Sequence, residues 1–230
     1  MKFLTLMKKE LRECLPWMVA AAAVLLVFGT LELWTKADPA AVGYRYRSFP
    51  PLSEVDSYEL IGYPYDDIGP IVFLSAMGLA LALGVRQFWT DQYTRMWGFL
   101  LHRSTGRNVI LAAKISSGLV AMTVAVGFVW TYLFWYAGRD GFLPVPPPAR
   151  HLIEGWLLVA EGFVVYLGTA LAGLSKARWY TTKLVGIAFA LWVVVTIAGL
   201  WKLAWVIAVI AISVAILLCW IVETFLKREF

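Results

Sequence analysis

The sequence has little charge. Asp, Glu, Lys and Arg make up 15% of its 230 residues, against about a quarter in soluble domains. Hydrophobic residues make up 61% of the chain, and its mean hydropathy is +0.73. So few polar residues cannot cover the buried helices of a large soluble core. The composition therefore excludes a soluble globular protein and indicates a membrane protein.

Cysteine and histidine are also scarce, with two of each. If both termini are cytoplasmic, Cys14 and Cys219 lie on the reducing side of the membrane, which disfavours a structural disulfide. His151 and Glu154 stand one helical turn apart, but no third ligand lies nearby in the sequence to complete a metal site. No Gly-x-x-x-x-Gly-Lys-Ser/Thr phosphate loop occurs. We therefore expect no metal, no cofactor and no nucleotide site in this chain.

Six long apolar runs occupy most of the sequence. A transmembrane helix needs roughly 20 mainly apolar residues to cross the bilayer core. The runs cover residues 16–33, 68–85, 109–135, 156–174, 184–200 and 203–222. They predict an all-α, polytopic integral membrane protein with six transmembrane helices over residues 16–230. Because residues 201–202 alone join the last two runs, these either form a tight hairpin or include a partly re-entrant segment.

The basic residues give the orientation. If the N-terminus is cytoplasmic, fourteen of the 20 Lys and Arg residues fall inside and six fall outside. Basic residues accumulate in cytoplasmic loops, so both termini are predicted to be cytoplasmic. The net charge of +5 then reflects topology and contact with anionic lipid headgroups. We expect no nucleic-acid partner.

This topology makes a direct prediction about accessibility. Single cysteines placed at Ser57 and Thr105 should react from the outside and from the inside of intact cells, respectively. Opposite accessibility at either position would contradict the six-span arrangement.

An N-terminal amphipathic helix is predicted over residues 1–15. Apolar residues recur on one face at spacings of three and four: Phe3, Leu4, Met7, Leu11, Cys14 and Leu15. Pro16 is predicted to break this helix before the first span. A basic amphipathic helix next to a transmembrane helix lies in the plane of the membrane. It serves either as a mechanical lever or as a topological anchor, and the sequence leaves both open.

Two segments between the runs stand out. Residues 34–67 form a long outer loop with several prolines and tyrosines. Residues 86–107 continue the second helix into the cytoplasm, where Gly98 weakens it. An apolar cluster surrounds that glycine: Trp97, Phe99, Leu100 and Leu101. Apolar side chains this dense need a partner surface, which is the protein's own helix ends, the inner leaflet or another subunit.

A specific order of residue types runs through this segment. It contains an acid, a base, a glycine, a leucine pair, a short turn, an arginine and a lysine: Asp91, Arg95, Gly98, Leu100, Leu101, 102–106, Arg107 and Lys114. This order resembles the membrane subunits of type-2 ABC exporters, a family that exports drugs, polysaccharides, lipids and bacteriocins. The chain also resembles that family in its six predicted spans, its N-terminal amphipathic helix and its length of 230 residues.

The resemblance implies a permease without enzymatic activity in a bacterial or archaeal cytoplasmic membrane. Two permease copies would pair with two separate ATPase subunits, which would hold the ATP and Mg, and would export a peptide, drug or lipid-like substrate. A coupling helix would dock in a groove of the ATPase. Its residues would be Arg95, Trp97, Gly98, Phe99, Leu100, Leu101, His102 and Arg103.

Three residues inside the fourth run are candidates for a transport path or a helix seam. Glu161 would cost about 2.5–3.5 kcal/mol as a charge at mid-bilayer, so it is expected to be neutral, paired or exposed to an aqueous path. Gly168 and Ala172, four residues apart, allow close helix approach. Lys114, near the inner end of the third run, is predicted to reach towards the headgroups rather than to bind anything.

Two other classes of function remain as alternatives. An intramembrane enzyme would need clustered His, Asp or Glu on facing helices, and Glu161 has no such intramembrane partner in the sequence. A non-transporting sensor or assembly module would share the same spans. A stable complex with an ATPase, followed by ATP-dependent movement of a substrate, distinguishes an exporter from both.

Overall fold

The computed structural model describes residues 2–37, 68–94, 106–139, 142–143, 147–175, 184–200 and 202–227. These residues form six helices, α1 to α6 in chain order. The helices are Lys2–Ala37, Gly69–Tyr93, Arg107–Ala137, Ala149–Leu174, Val185–Ala198 and Leu203–Leu226. The predicted coupling residues, Arg95 and 97–103, and most of the predicted outer loop lie outside the described residues.

Five of these helices are long and apolar enough to cross a membrane. Helix α5 is the exception, since its 14 residues span only about 21 Å at 1.5 Å per residue. The prediction of an all-α, multi-pass membrane protein is confirmed at this level, and every regular element in the described ranges is helical. The crossing by α5, and hence the number six, stays a prediction.

Helix α1 continues without interruption through Pro16, so the predicted break at that residue is wrong. Proline inside a helix costs about 3 kcal/mol because it removes a backbone hydrogen bond. Contacts on both sides of Pro16 offset this cost. Before it, Cys14 is fully buried, and after it Leu25 is fully buried in the same hydrophobic core. Pro16 itself faces outward. Whether residues 1–15 lie at the membrane interface stays a prediction.

Helices α1 and α3 run in the same direction. Near their starts, Glu10 of α1 meets Lys114 of α3. Near their ends, a Cβ atom placed on Gly29 would lie 2.7 Å from a methyl carbon of Leu133. Helix α2 runs the opposite way, because Asp91, near its end, joins the contacts at the start of α3. This alternation agrees with successive crossings of a bilayer.

Helix α4 is the most buried of the five long helices and packs against α2, α5 and α6. Small residues let its neighbours approach. A Cβ atom on Gly168 would lie 2.5 Å from the carbonyl oxygen of Gly186 on α5, and one on Gly173 would lie 2.3 Å from the indole of Trp89. Gly168 therefore belongs to a helix seam within one chain. Ala172 is fully buried on the same helix.

Large apolar side chains cover the outward faces of α1, α5 and α6. Examples exposed by 59% or more are Val27, Leu31, Trp34, Trp192, Val195, Trp205 and Ile212. Soluble monomers rarely expose contiguous apolar surface on this scale. These faces are suited to contact lipid acyl chains or another membrane subunit.

Candidate functional site

The most unusual side chain in the structure is a buried lysine. Lys114 is 1% exposed. Its ammonium Nζ lies 2.8 Å from Glu10 Oε1, 2.7 Å from Asp91 Oδ2 and 3.1 Å from the carbonyl oxygen of Gln87. Lysine has three donors, and each has an acceptor here. The prediction that Lys114 reaches towards the headgroups is wrong, because α1 and α2 provide these acceptors inside the protein.

A π-helical turn, Val85–Trp89, places Gln87 at the centre of this cluster. Such turns hold an extra residue, widen the helix and often occur at functional sites. The Thr90 hydroxyl donates a hydrogen bond of 3.2 Å to the carbonyl of Val85 within the turn. Gln87 and Phe88 are both buried within this turn. Helix α2 therefore presents a backbone carbonyl and an amide side chain to α3 from one turn.

The side chain of Gln87 ties four helices together. Its Nε2 donates to Ser117 Oγ of α3 at 2.9 Å and to Cys14 Sγ of α1 at 3.2 Å. Its Oε1 accepts the hydroxyl proton of Tyr166 of α4 at 2.5 Å. Both amide hydrogens and the oxygen are thus used, as a buried amide requires.

Tyr166 fits because α3 has no side chain opposite its ring. A Cβ atom on Gly118 would lie 2.4 Å from Tyr166 Cζ, far inside van der Waals contact. The ring of Phe88 meets Tyr166 edge-on, with centroids 6.2 Å apart. Gly118 is therefore required for the ring to approach α3 and for its hydroxyl to reach Gln87.

Further charged residues lie between Lys114 and the protein surface. Arg86 Nη2 lies 2.8 Å from Glu13 Oε2, and Lys9 Nζ lies 3.6 Å from the other oxygen of Glu13. With Lys114, Glu10 and Asp91, these residues make three cations and three anions. We call these six residues the ion cluster. A cleft of about 250 Å³ borders the ion cluster and is lined by Lys9, Glu10, Glu13, Arg86, Thr90, Asp91 and Thr94.

The ion cluster thus joins the beginning of α1, the end of α2 and the beginning of α3. Breaking one buried pair typically costs about 3–5 kcal/mol, because a charge is left uncompensated. These three helix ends are therefore expected to move as one body. Asp91 and Lys114 belong to the residue order that resembles the exporter family, and the structure places them in contact.

Sequence reasoning did not single out Glu10. A usable signal was nevertheless present, because Glu10 lies three residues after Met7 and four before Cys14. A lone acid on the apolar face of a helix requires a cation or another polar partner. Lys114, in the first turns of α3, was an available cation.

A second candidate site surrounds Glu161, on α4. This residue is 5% exposed, and it lines a cleft of about 730 Å³ between α4, α5 and α6. Within the described part of the chain, no hydrogen bond or ion pair engages its carboxyl group. At the mouth of the cleft, Arg150 Nε donates to Glu154 Oε1 at 2.6 Å. Of the placements expected from the sequence, the described residues provide no partner on a neighbouring helix, so a neutral carboxyl group and one that faces an aqueous path both stay predictions.

His151, Glu154 and the two cysteines lie within the described residues. His151 Nδ1 lies 3.1 Å from Glu154 Oε2, but this carboxylate also binds Arg150. No group of three or more His, Cys, Asp or Glu placed to hold a metal occurs among the described residues. Cys14 is buried, Cys219 is exposed, and both are free thiols.

No protein-family model, curated protein or solved structure matches the chain. The features of the chain that bear on its function are therefore the ion cluster, the Glu161 cleft and the residue order around 91–114.

Proposed function

We propose that the chain is the permease subunit of an ATP-driven exporter in a bacterial or archaeal cytoplasmic membrane. Two copies pair with two ATPase subunits and move an amphipathic or hydrophobic substrate out of the cytoplasm or the inner leaflet. ATP and Mg bind to the partner, and this chain performs no covalent chemistry. The six-span topology, with both termini in the cytoplasm, is part of the proposal.

The ion cluster is the observation that carries this proposal. The segment 95–105 joins the end of α2, which carries Asp91, to the start of α3, which carries Lys114 about two turns from its first residue. Asp91 and Lys114 are 2.7 Å apart. A force on the segment is therefore applied close to a buried ionic contact. Because Glu10 binds the same ammonium group, α1 receives that force as well. An exporter needs such a rigid connection between its ATPase and its transmembrane helices.

Helix α4 extends the connection into the interior. The Tyr166 hydroxyl donates a hydrogen bond to Gln87, whose backbone carbonyl accepts one from Lys114 of the ion cluster. Glu161 precedes Tyr166 on the same helix by about 7.5 Å of helical rise. A displacement of the ion cluster therefore reaches the cleft of about 730 Å³ through one rigid helix. In the proposed mechanism, ATPase movement changes the shape of that cleft.

The proposed coupling residues give the decisive test. Interface anchors cost about 2 kcal/mol or more when truncated, roughly 30-fold in affinity. Trp97→Ala should show a loss of this size in ATPase binding. Leu101→Asp should lose the co-purifying ATPase and transport together, because a carboxylate would be buried unpaired in an apolar groove. Both variants should still insert, since the segment lies outside the spans.

Leu52→Asp provides the matched control, because it makes the same change in the predicted outer loop and should retain the ATPase. Full ATPase binding by both Trp97→Ala and Leu101→Asp would contradict the coupling role. A bound ATPase without ATP-dependent substrate movement in reconstituted vesicles would instead favour the non-transporting sensor or assembly module.

A further inference from the structure

The cleft around Glu161 has the size and lining of a small-molecule site. Its volume of about 730 Å³ falls in the usual range of roughly 300–1,000 Å³ for such sites. Three helices supply its apolar wall: Ile153, Leu157 and Leu158 from α4, Ile197 from α5, and Leu203 and Val206 from α6. A wall of this kind binds an apolar body of little specific shape through dispersion and release of water.

When Glu161 is ionised, the charges of the residues that line the cleft do not balance. Arg150 is the sole cation among its described lining residues, and it is held by Glu154 at the mouth. Glu161 lies deeper, is 5% exposed and has no polar partner within the described residues. A carboxylate in apolar surroundings gains strongly from a nearby positive charge, because the local dielectric screens it less than water does.

We propose that this cleft binds amphipathic organic cations. The positive group lies beside Glu161, and the apolar body packs against Leu157, Leu158 and Val206. An anion of the same shape meets the same wall but is repelled by the carboxylate, so charge rather than size decides what binds. This inference extends the proposed function by naming the class of substrate.

The charge preference can be measured on the natural chain alone. Tetraphenylphosphonium and tetraphenylborate have nearly the same shape and opposite charges. The purified chain in lipid nanodiscs, without any ATPase, is equilibrated with each radiolabelled ion by dialysis against empty nanodiscs as the reference. We expect saturable binding of the cation, and an affinity for the anion that is at least about tenfold lower.

Substitutions then assign the preference to Glu161. Glu161→Gln keeps the size and hydrogen-bonding capacity but removes the charge, and should weaken cation binding at least about tenfold. Glu161→Asp keeps the charge and should retain most of the cation preference. Glu223→Gln removes an exposed carboxylate of α6 that pairs with Lys227, and should leave binding unchanged. Leu157→Trp narrows the cleft without altering its charge and should also weaken binding.

Equal affinities for the two ions, no saturable binding of either, or unchanged cation binding in Glu161→Gln would overturn the inference. If Glu161→Gln does not fold, the comparison of the two ions on the natural chain decides by itself. The assay uses no ATPase, so its failure is separate from failure of the coupling test at Leu101. If the chain binds the cation but recruits no ATPase, the binding site is supported and the proposed exporter function is contradicted.

Discussion

Replacing Lys114 with Met is expected to lower the free energy of unfolding by about 3–5 kcal/mol, the usual cost of removing one partner of a buried ion pair. Met preserves most of the side-chain volume, so the loss comes mainly from charge. Glu10 and Asp91 both bind the same Nζ and would be left facing each other without a cation. Unfolding by SDS in mixed micelles, followed by far-ultraviolet circular dichroism, measures the change.

A triple variant separates charge from packing. Adding Glu10→Gln and Asp91→Asn to Lys114→Met removes all three charges and should recover most of the lost stability, since apolar or neutral replacement of a whole buried cluster is often nearly neutral. Lys202→Met changes an exposed lysine at the start of α6 and should stay within about 0.5 kcal/mol. Equal losses in the single and triple variants would show that the lysine matters for packing instead.

Gly118→Leu should also destabilise the protein strongly, by roughly 2–6 kcal/mol. Even a Cβ atom at this position would lie 2.4 Å from Tyr166 Cζ, so a larger side chain must displace the ring. Overpacking costs about 1–3 kcal/mol. Losing the Tyr166 hydroxyl leaves the oxygen of buried Gln87 short of a donor, which costs about 1–3 kcal/mol more. The same SDS titration measures the loss.

Gly78→Leu is the matched control, because nothing lies within 4 Å of a Cβ atom at Gly78. It should have little effect. Removing the obstructing ring with Tyr166→Ala should make Gly118→Leu far less costly than in the natural chain, a coupling that a double-mutant cycle detects. Additive losses would mean that Gly118 and Tyr166 do not determine each other's position.

The helices were predictable because their signal is local. Length and hydropathy place α3 and α4 close to the predicted runs, since an apolar stretch of about 20 residues is sufficient evidence for each. The position of Glu161 near the middle of α4 followed from the same counting. Close packing at Gly168 was predictable from small residues four apart, although its partner Gly186 was not.

The ion cluster was not predictable in the same way. Lys114 finds Glu10 and Asp91 only after three helices have taken their relative rotations, which no local pattern specifies. Pro16 was misread for a related reason, because its cost to α1 is local whereas the contacts that hold α1 come from α2 and α3. The residue order around 91–114 placed Asp91 and Lys114 in one motif without showing that they touch.

The described residues contain two π-helical turns, one in α2 and one in α3, and both restrict how the sequence can change. An α-helix advances about 100° per residue, and a π turn adds one residue, so each turn rotates everything after it by about that angle. In α3 the turn Thr123–Phe128 separates Gly118, which faces Tyr166, from Trp130, which packs against Gly155. In α2 the turn Val85–Trp89 precedes Asp91. Deleting one residue from either turn would keep the helix and its hydropathy but turn its far end to a different neighbour.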